Sequence, residues 1–315
     1  MKKMTWVLAA LFLAACGDEG GGGGGSGSVQ AFVVAEETIP EGLTPGDGLE
    51  NIQDGWTVTY DSFLAVIGNF RAARQGSGDQ RISNDVYIVD MKSLPTNGFT
   101  IAEFDDIEAA RWDRVGFDMP RAAADTPCAP SVSADDCDFM RTHHFSVYFA
   151  ATLTKPDGES CLRAAGGGTS DCVAAPEISF VFGLSSGTSY DDCSDEDDVP
   201  GFAVPSGGTV QVKPTIHGDH WFFDNITQGA EITERQAQWI ADADRSNAGH
   251  TSDGLVTIAE LQASTAGAFF PASLGYNLSG TLTPVTNGLT FLEAQAHTLG
   301  DYQGEGECPT REVLE

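Results

Sequence analysis

Over residues 56–216 apolar side chains recur at every second position, and this period limits the possible folds more than any other feature of the chain. It is clearest in Phe145, Val147, Phe149, Ala151 and Leu153, again in Ile178, Phe180, Phe182 and Leu184, and in Val115, Phe117 and Met119. Trp56, Val58 and Tyr60 begin an earlier run, and Val86 to Val89 form another. Successive side chains of a strand point to opposite faces, so this period marks strands with one face in a core. The runs are short, are separated by Gly, Pro and Asp clusters, and have no helical period between them. The expected fold is therefore mainly β, an antiparallel β-sandwich over residues 51–224. Pro214 falls inside the run Val210, Val212, Ile216. Without an N–H to give, it confines that strand to an edge or breaks it with a bulge.

Beyond residue 224 the character changes. The stretch "EITERQAQWIADAD" reads as a helix with Ile232, Ala237 and Ile240 inward, and "TIAELQAS" reads as the start of another. Leu289, Leu292, Ala296 and Leu299 keep helical spacing until Gly300 stops it. A small helical subdomain over residues 225–315, packed on the sandwich, is the expectation.

Between the first two of these helices lies "DADRSNAGHTSDGLVTIAEL". An EF-hand loop places oxygens at its positions 1, 3, 5, 7, 9 and 12, with glycine at 6 and a bidentate glutamate at 12. Counting back from Glu260, Thr257, the Leu255 carbonyl, Gly254 and Asp253 fall where the second half of such a loop needs them. Asp242 and Asp244 supply the first and third ligands if residues 245–252 bulge out, and closure entropy rises slowly enough with length to allow it. The stretch resembles the EF-hand loop with an expansion of seven residues. That resemblance implies a structural calcium ion held by Asp242, Asp244, Asp253, Leu255, Thr257 and Glu260. The competing reading is a polar connection rich in Asp because Asp makes good turns and caps.

The chain opens "MKKMTWVLAALFLAAC", two lysines and a short apolar run ending in small residues and Cys16, which reads as a secretory signal. Leu13, Ala14, Ala15 and Cys16 resemble the lipobox of bacterial lipoproteins, which implies cleavage after residue 15 and acylation of Cys16. The Gly-rich residues that follow read as a tether, and residues 17–50 as tether and linker. Removing residues 1–16 leaves 14 basic and 46 acidic residues, a formal charge of −32, which excludes nucleic acid as a partner. Six cysteines remain, an even number that argues for disulfides in an exported chain, with fifteen connectivities open. Cys128 with Cys137 and Cys161 with Cys172 each flank a short polar loop and would make local staples. Cys193 and Cys308 are then left over, and their pairing would be worth up to about 5 kcal/mol in the chain-entropy model.

Histidines and acids gather elsewhere too. "TIHGDHWFFDN" holds His217, Asp219, His220 and Asp224, His143 and His144 open another expected strand, and "HTLGDYQGEGEC" brings His297, Asp301, Glu305 and Glu307. Two histidines and a carboxylate can bind zinc or copper, and His217, Asp219 and His220 are the alternative metal set. The competing reading is a set of hydrogen-bonded histidines that lock sandwich to helices. "GLSSG" matches the nucleophile elbow, but the residues after Ser185 cannot start the helix that the elbow needs. Six acids in residues 191–198 read as a solvated loop beside Cys193.

Taken together, the lipobox, the glycine tether, "IHGDHWFFD", the split "DAD…DGLVTIAEL" and the terminal "GEGEC" resemble a group of uncharacterised bacterial lipoproteins with an H-x-D-H-aromatic motif and an expanded calcium loop. In their order, "YDSFLAVIGNF", "VYIVDM" and "ARWDRVGFDM" resemble segments of the periplasmic copper-binding MbnP-like proteins, whose metal ligands have no residue-by-residue match here. The resemblances imply an extracytoplasmic lipoprotein, anchored in the bilayer through Cys16, with a structural calcium loop. It would act as a non-catalytic binding or surface module for a protein or ligand the sequence does not identify. Copper or zinc handling, or a metalloenzyme, at His217 and His220 is the alternative.

Overall fold

The computed structural model describes residues 24–227 and 233–313. The expected signal peptide, Cys16 and Ile232 lie outside them. The architecture is mainly β, with two large sheets whose inner faces share a core. The larger sheet runs in the order 255–256, 177–184, 147–154, 57–73, 114–119, 187–190, 310–313, with 80–82 and 86–90 on the other edge of the long strand. Every run read as alternating lies in this sheet except Val210, Val212, Ile216, which belongs to the smaller one. Val147–Thr154 and Glu177–Leu184 bury every second residue, and Phe63, Phe149, Phe180 and Phe182 pack as one aromatic group.

The smaller sheet departs from the expectation in two ways. Its central strand is Ser26–Ala35, inside the stretch read as tether and linker, because Val29, Ala31 and Val33 alternate and are fully buried. This strand pairs antiparallel with Phe99–Glu108 but parallel with Thr209–Val212 and Pro214–Ile216, so the sandwich is mixed rather than purely antiparallel. The ladder breaks between Val212 and Pro214, where the proline forces it to.

Helices are shorter than the sequence suggests. Among the described residues of the first expected helix only Gln238–Ala243 is helical, because Arg235 is drawn into backbone pairing with Ile52 and Phe223. Ala237 and Ile240 are buried, as the reading had them. Ile258–Ala263 forms as anticipated, Gly288–Ala296 stops at its cap His297 short of Leu299, and Ala134–His143, capped by Ser133, is an unforeseen helix. His143 therefore ends a helix instead of opening a strand. Three elements after residue 224 join the sheets. Leu255–Val256 pairs with Ser179–Phe180, Gly300–Tyr302 with Pro214–Ile216, and Thr310–Val313 with Gly187–Tyr190. Trp239, Leu261, Phe291 and Leu292 belong to the same core cluster as the sheet residues.

Three disulfides link Cys128 to Cys137, Cys161 to Cys172 and Cys193 to Cys308, the two local staples and the long-range closure. Such bonds persist in an oxidising, extracytoplasmic compartment. No helix among the described residues is long and apolar enough to cross a membrane.

Candidate metal centre

Three neighbouring strands of the smaller sheet end together, and each delivers a potential ligand. Ala35 pairs with Ile216 and Ile216 with Gly300, so Glu36 and His217 follow two adjacent strand ends, while Asp301, paired with Thr215, lies one residue inside the third strand. The Glu36 N–H donates to the Ile216 carbonyl at 2.9 Å, and the His217 N–H to the Leu299 carbonyl at 2.9 Å, extending the ladder into the site. A 3₁₀ turn, Asp219–Phe222, then reverses the chain. It is pinned by Trp221, which stacks on Phe149 at 4.5 Å between ring centres, and by Phe222 against Phe180. With those two rings in the core, Asp219 and His220 are left facing His217.

The imidazoles of His217 and His220 stack at 4.7 Å between centroids. His220 Nδ1 lies 2.6 Å from the Thr298 carbonyl, an oxygen that only accepts, so that nitrogen carries the proton and Nε2 offers its lone pair to the site. Asp301 Oδ2 lies 3.4 Å from His217 Nε2 and 4.0 Å from His220 Nε2. His217 Nε2 also faces the Gly304 carbonyl at 3.3 Å. On the other side of the ring, Asp219 Oδ1 stands 3.7 Å from His217 Nδ1, and its Oδ2 accepts from Arg235 Nε at 2.6 Å. Potential ligand atoms of His217, His220 and Asp301 fall within 4.8 Å of one another, as do those of Glu36, His217 and Asp219. Glu159, Cys161 and Cys172 are equally close, but both sulfurs are committed to a disulfide.

In this cluster the acids Glu36, Asp219, Asp301, Glu305 and Glu307 outnumber the basic groups His217 and Arg235. Burial raises Asp301 to about 8 against the pull of His217, with Glu307 and Glu305 adding to the rise. Burial also raises Glu36, Glu305 and Glu307. Burial alone would lower His217, but Asp219, Asp301 and Glu305 around it raise it to about 10. His220 is pushed down to about 3, chiefly by burial. Burial would raise Asp219, yet the two imidazoles and Arg235 hold it well below the usual carboxylate range. Several carboxyl groups that resist ionisation around one acid-bound imidazole are what a divalent cation would relieve. Beside the cluster a cleft of about 80 Å³ is lined by His220, Phe223, His297, Thr298, Asp301 and Glu307, and so reaches the His220 imidazole and Asp301.

The donor set suits zinc or copper. Two imidazole nitrogens and a carboxylate, one imidazole fixed by a carbonyl behind it, are ligands of borderline softness. Of the other acids and histidines singled out, His297 and Glu307 line the cleft and Glu305 lies near enough to raise His217. Asp224 instead accepts from the Glu234 N–H at 2.9 Å, and His144 contacts the Ala122 carbonyl at 2.9 Å. Glu36, Arg235 and Thr298 escaped the sequence reading. "AEETIPEG" carries no ligand spacing, and only the strand register brings Glu36 to His217.

The expected calcium loop is built differently. Asp242 turns away from it. Its oxygens accept from Arg163 at 2.5 Å, from the Cys161 N–H at 2.8 Å and from Gln238 at 2.9 Å. Expected as the first ligand, Asp242 is here the buried ion-pair partner of Arg163, which reaches it from the neighbouring hairpin. Asp244 accepts from the Ser252 hydroxyl and from the Asp253 and Gly254 N–H groups, both at 3.3 Å. Glu260 closes a capping box with Thr257, its Oε2 accepting from the Thr257 N–H at 2.8 Å and hydroxyl at 2.9 Å. Asp253 accepts from the Leu255 N–H at 3.1 Å, and Leu255 continues into a strand. The insert keeps Arg245 buried and exposes residues 248–251. Its Asn247 amide nitrogen sits 3.0 Å from the Asp244 carbonyl, 2.7 Å from the Thr251 carbonyl and 2.9 Å from Glu260 Oε1.

Ser185 is followed by the strand Gly187–Tyr190 and no helix, so it has no elbow. The acids of residues 191–198 are partly neutralised, Asp191 by Arg71 and Arg311 and Asp192 by Arg114. Comparison with family models, with curated proteins and with solved structures gives no match to this chain.

Proposed function

We propose that this protein is an extracytoplasmic metal-binding module, tethered to a bacterial membrane through an acylated Cys16. Its centre takes zinc or copper on His217 Nε2, His220 Nε2 and Asp301. The observation that carries the reading is the fixed tautomer of His220, whose Nδ1 is committed to Thr298 so that Nε2 faces His217 and Asp301. A histidine that only locked the fold would have no reason to aim an unprotonated nitrogen at a second imidazole and a carboxylate. The neighbouring cleft would admit a water or a small ligand to an open coordination position.

Calcium at residues 242–260 is the other reading. Its support is the loop pattern, while the hydrogen bonds of Asp242, Asp244 and Glu260 to protein donors count against it. Elemental analysis of protein purified without chelator and loaded with zinc or copper separates the two. Bound metal that is lost in His220→Ala, with the circular dichroism spectrum unchanged, is the expected result. Metal content indifferent to His220→Ala would overturn the reading.

A further inference from the structure

We propose that His217 serves two metal positions at once, the second formed by its Nδ1 together with Asp219 and Glu36. This inference rests on the metal-binding reading above.

Asp219 Oδ1 is buried and has no hydrogen-bond partner, although Oδ2 of the same carboxylate is firmly held by Arg235. A buried carboxylate oxygen left unpaired is costly and marks a missing ligand. His217 Nδ1 stands 3.7 Å from Asp219 Oδ1 and His220 Nε2 4.0 Å, both beyond hydrogen-bond range. A carboxylate that merely oriented a metal-bound imidazole would accept its N–H at about 2.9 Å. Two donors that share a tetrahedral ion at about 2.1 Å each stand about 3.4 Å apart. The gap between Asp219 and His217 is near this spacing, as is the 3.4 Å between Asp301 and His217 on the opposite edge of the same ring. Glu36 completes the second set. Its side chain is steadied by the Thr38 N–H, which donates to Oε2 at 2.8 Å, and its ligand atom lies within 4.8 Å of those of His217 and Asp219.

The two positions thus lie on opposite edges of one imidazole, Asp301 and His220 at Nε2 and Asp219 and Glu36 at Nδ1. Binding the first ion at Nε2 leaves one ring proton, on Nδ1. Binding the second releases that proton to solvent, and the imidazolate bridges the two ions with no change of oxidation state. The anionic ring is then flanked by two dications, and the carboxylates that burial raises gain counter-charge.

The test is the stoichiometry of the full chain, stripped of metal, loaded with zinc and then dialysed. Two ions per chain are expected in the wild type and one in Glu36→Gln, a change at a strand end that leaves the Asp219–Arg235 pair intact. Loading with copper(II) should give a magnetically coupled spectrum in the wild type and an uncoupled one in Glu36→Gln. One ion in the wild type would overturn the second position while leaving the first, and none would overturn both. Two ions retained in Glu36→Gln, or two uncoupled copper ions in the wild type, would overturn the shared imidazole.

Discussion

The loop at residues 242–260 and the cluster at His217 present opposite relations between motif and chemistry. The loop carries its carboxylates in a contiguous pattern, yet each acid finds a protein donor. Asp242 takes Arg163, Asp244 takes backbone N–H groups, and Glu260 caps its own helix. In the cluster, residues from positions 36, 217–220 and 301 meet, and an oxygen of Asp219 and a nitrogen of His220 remain unspent. Ligand residues become a site only where no internal donor satisfies them first. What remains unsatisfied after folding therefore says more than what recurs in the sequence.

The sharpest way to break this contrast is Asp242→Ala. It would strand Arg163, whose side chain is 8% exposed, and should cost about 3–5 kcal/mol of stability in urea unfolding, with or without calcium. A cost that calcium chelation abolishes would restore Asp242 as an ion ligand. Next, His220→Ala should weaken zinc binding by at least about 100-fold, since loss of a mere supporting partner costs 10–100-fold, and competition with a chromophoric chelator reads this directly.

Acidity sharpens the cluster side. At pH 7 an incoming ion must displace at least one proton from the His217–Asp301 pair, since the surrounding acids raise His217 and burial raises Asp301. Glu36, Asp219, Glu305 and Glu307 surround them and favour the protonated forms. Affinity should therefore rise about tenfold per pH unit for each proton displaced, most steeply below pH 8, and calorimetry in buffers of different ionisation enthalpy counts those protons. A pH-independent affinity would mean that neither group is a ligand. The smallest effect belongs to the loop. Glu260→Ala should cost about 1 kcal/mol through the lost cap, and the melting temperature should not respond to EGTA.

The sheets were legible because a strand's period is local. Phe149 and Phe180 could be placed inward from their spacing alone, and Pro214 could be read as a break. Ser26–Ala35 was hidden by the glycines before it, although Val29, Ala31 and Val33 carry the same alternation. The T-x-x-E of Thr257 and Glu260 serves a capping box and a calcium loop equally well, and nothing local distinguishes them.

By itself, then, the sequence determined the alternating strands of the larger sheet, the helix that begins after Thr257 and the two cysteine pairs that short loops staple, all consequences of interactions between residues near one another in the chain. Only the tertiary structure decided which polar groups are left without partners. Parallel pairing of residue 35 with residue 216 brings Glu36 to His217, and the hairpin at residues 159–174 brings Arg163 to Asp242. Whether a carboxylate waits for an ion depends on which donors distant segments deliver to it, because a hydrogen bond or ion pair already made removes the oxygen from coordination.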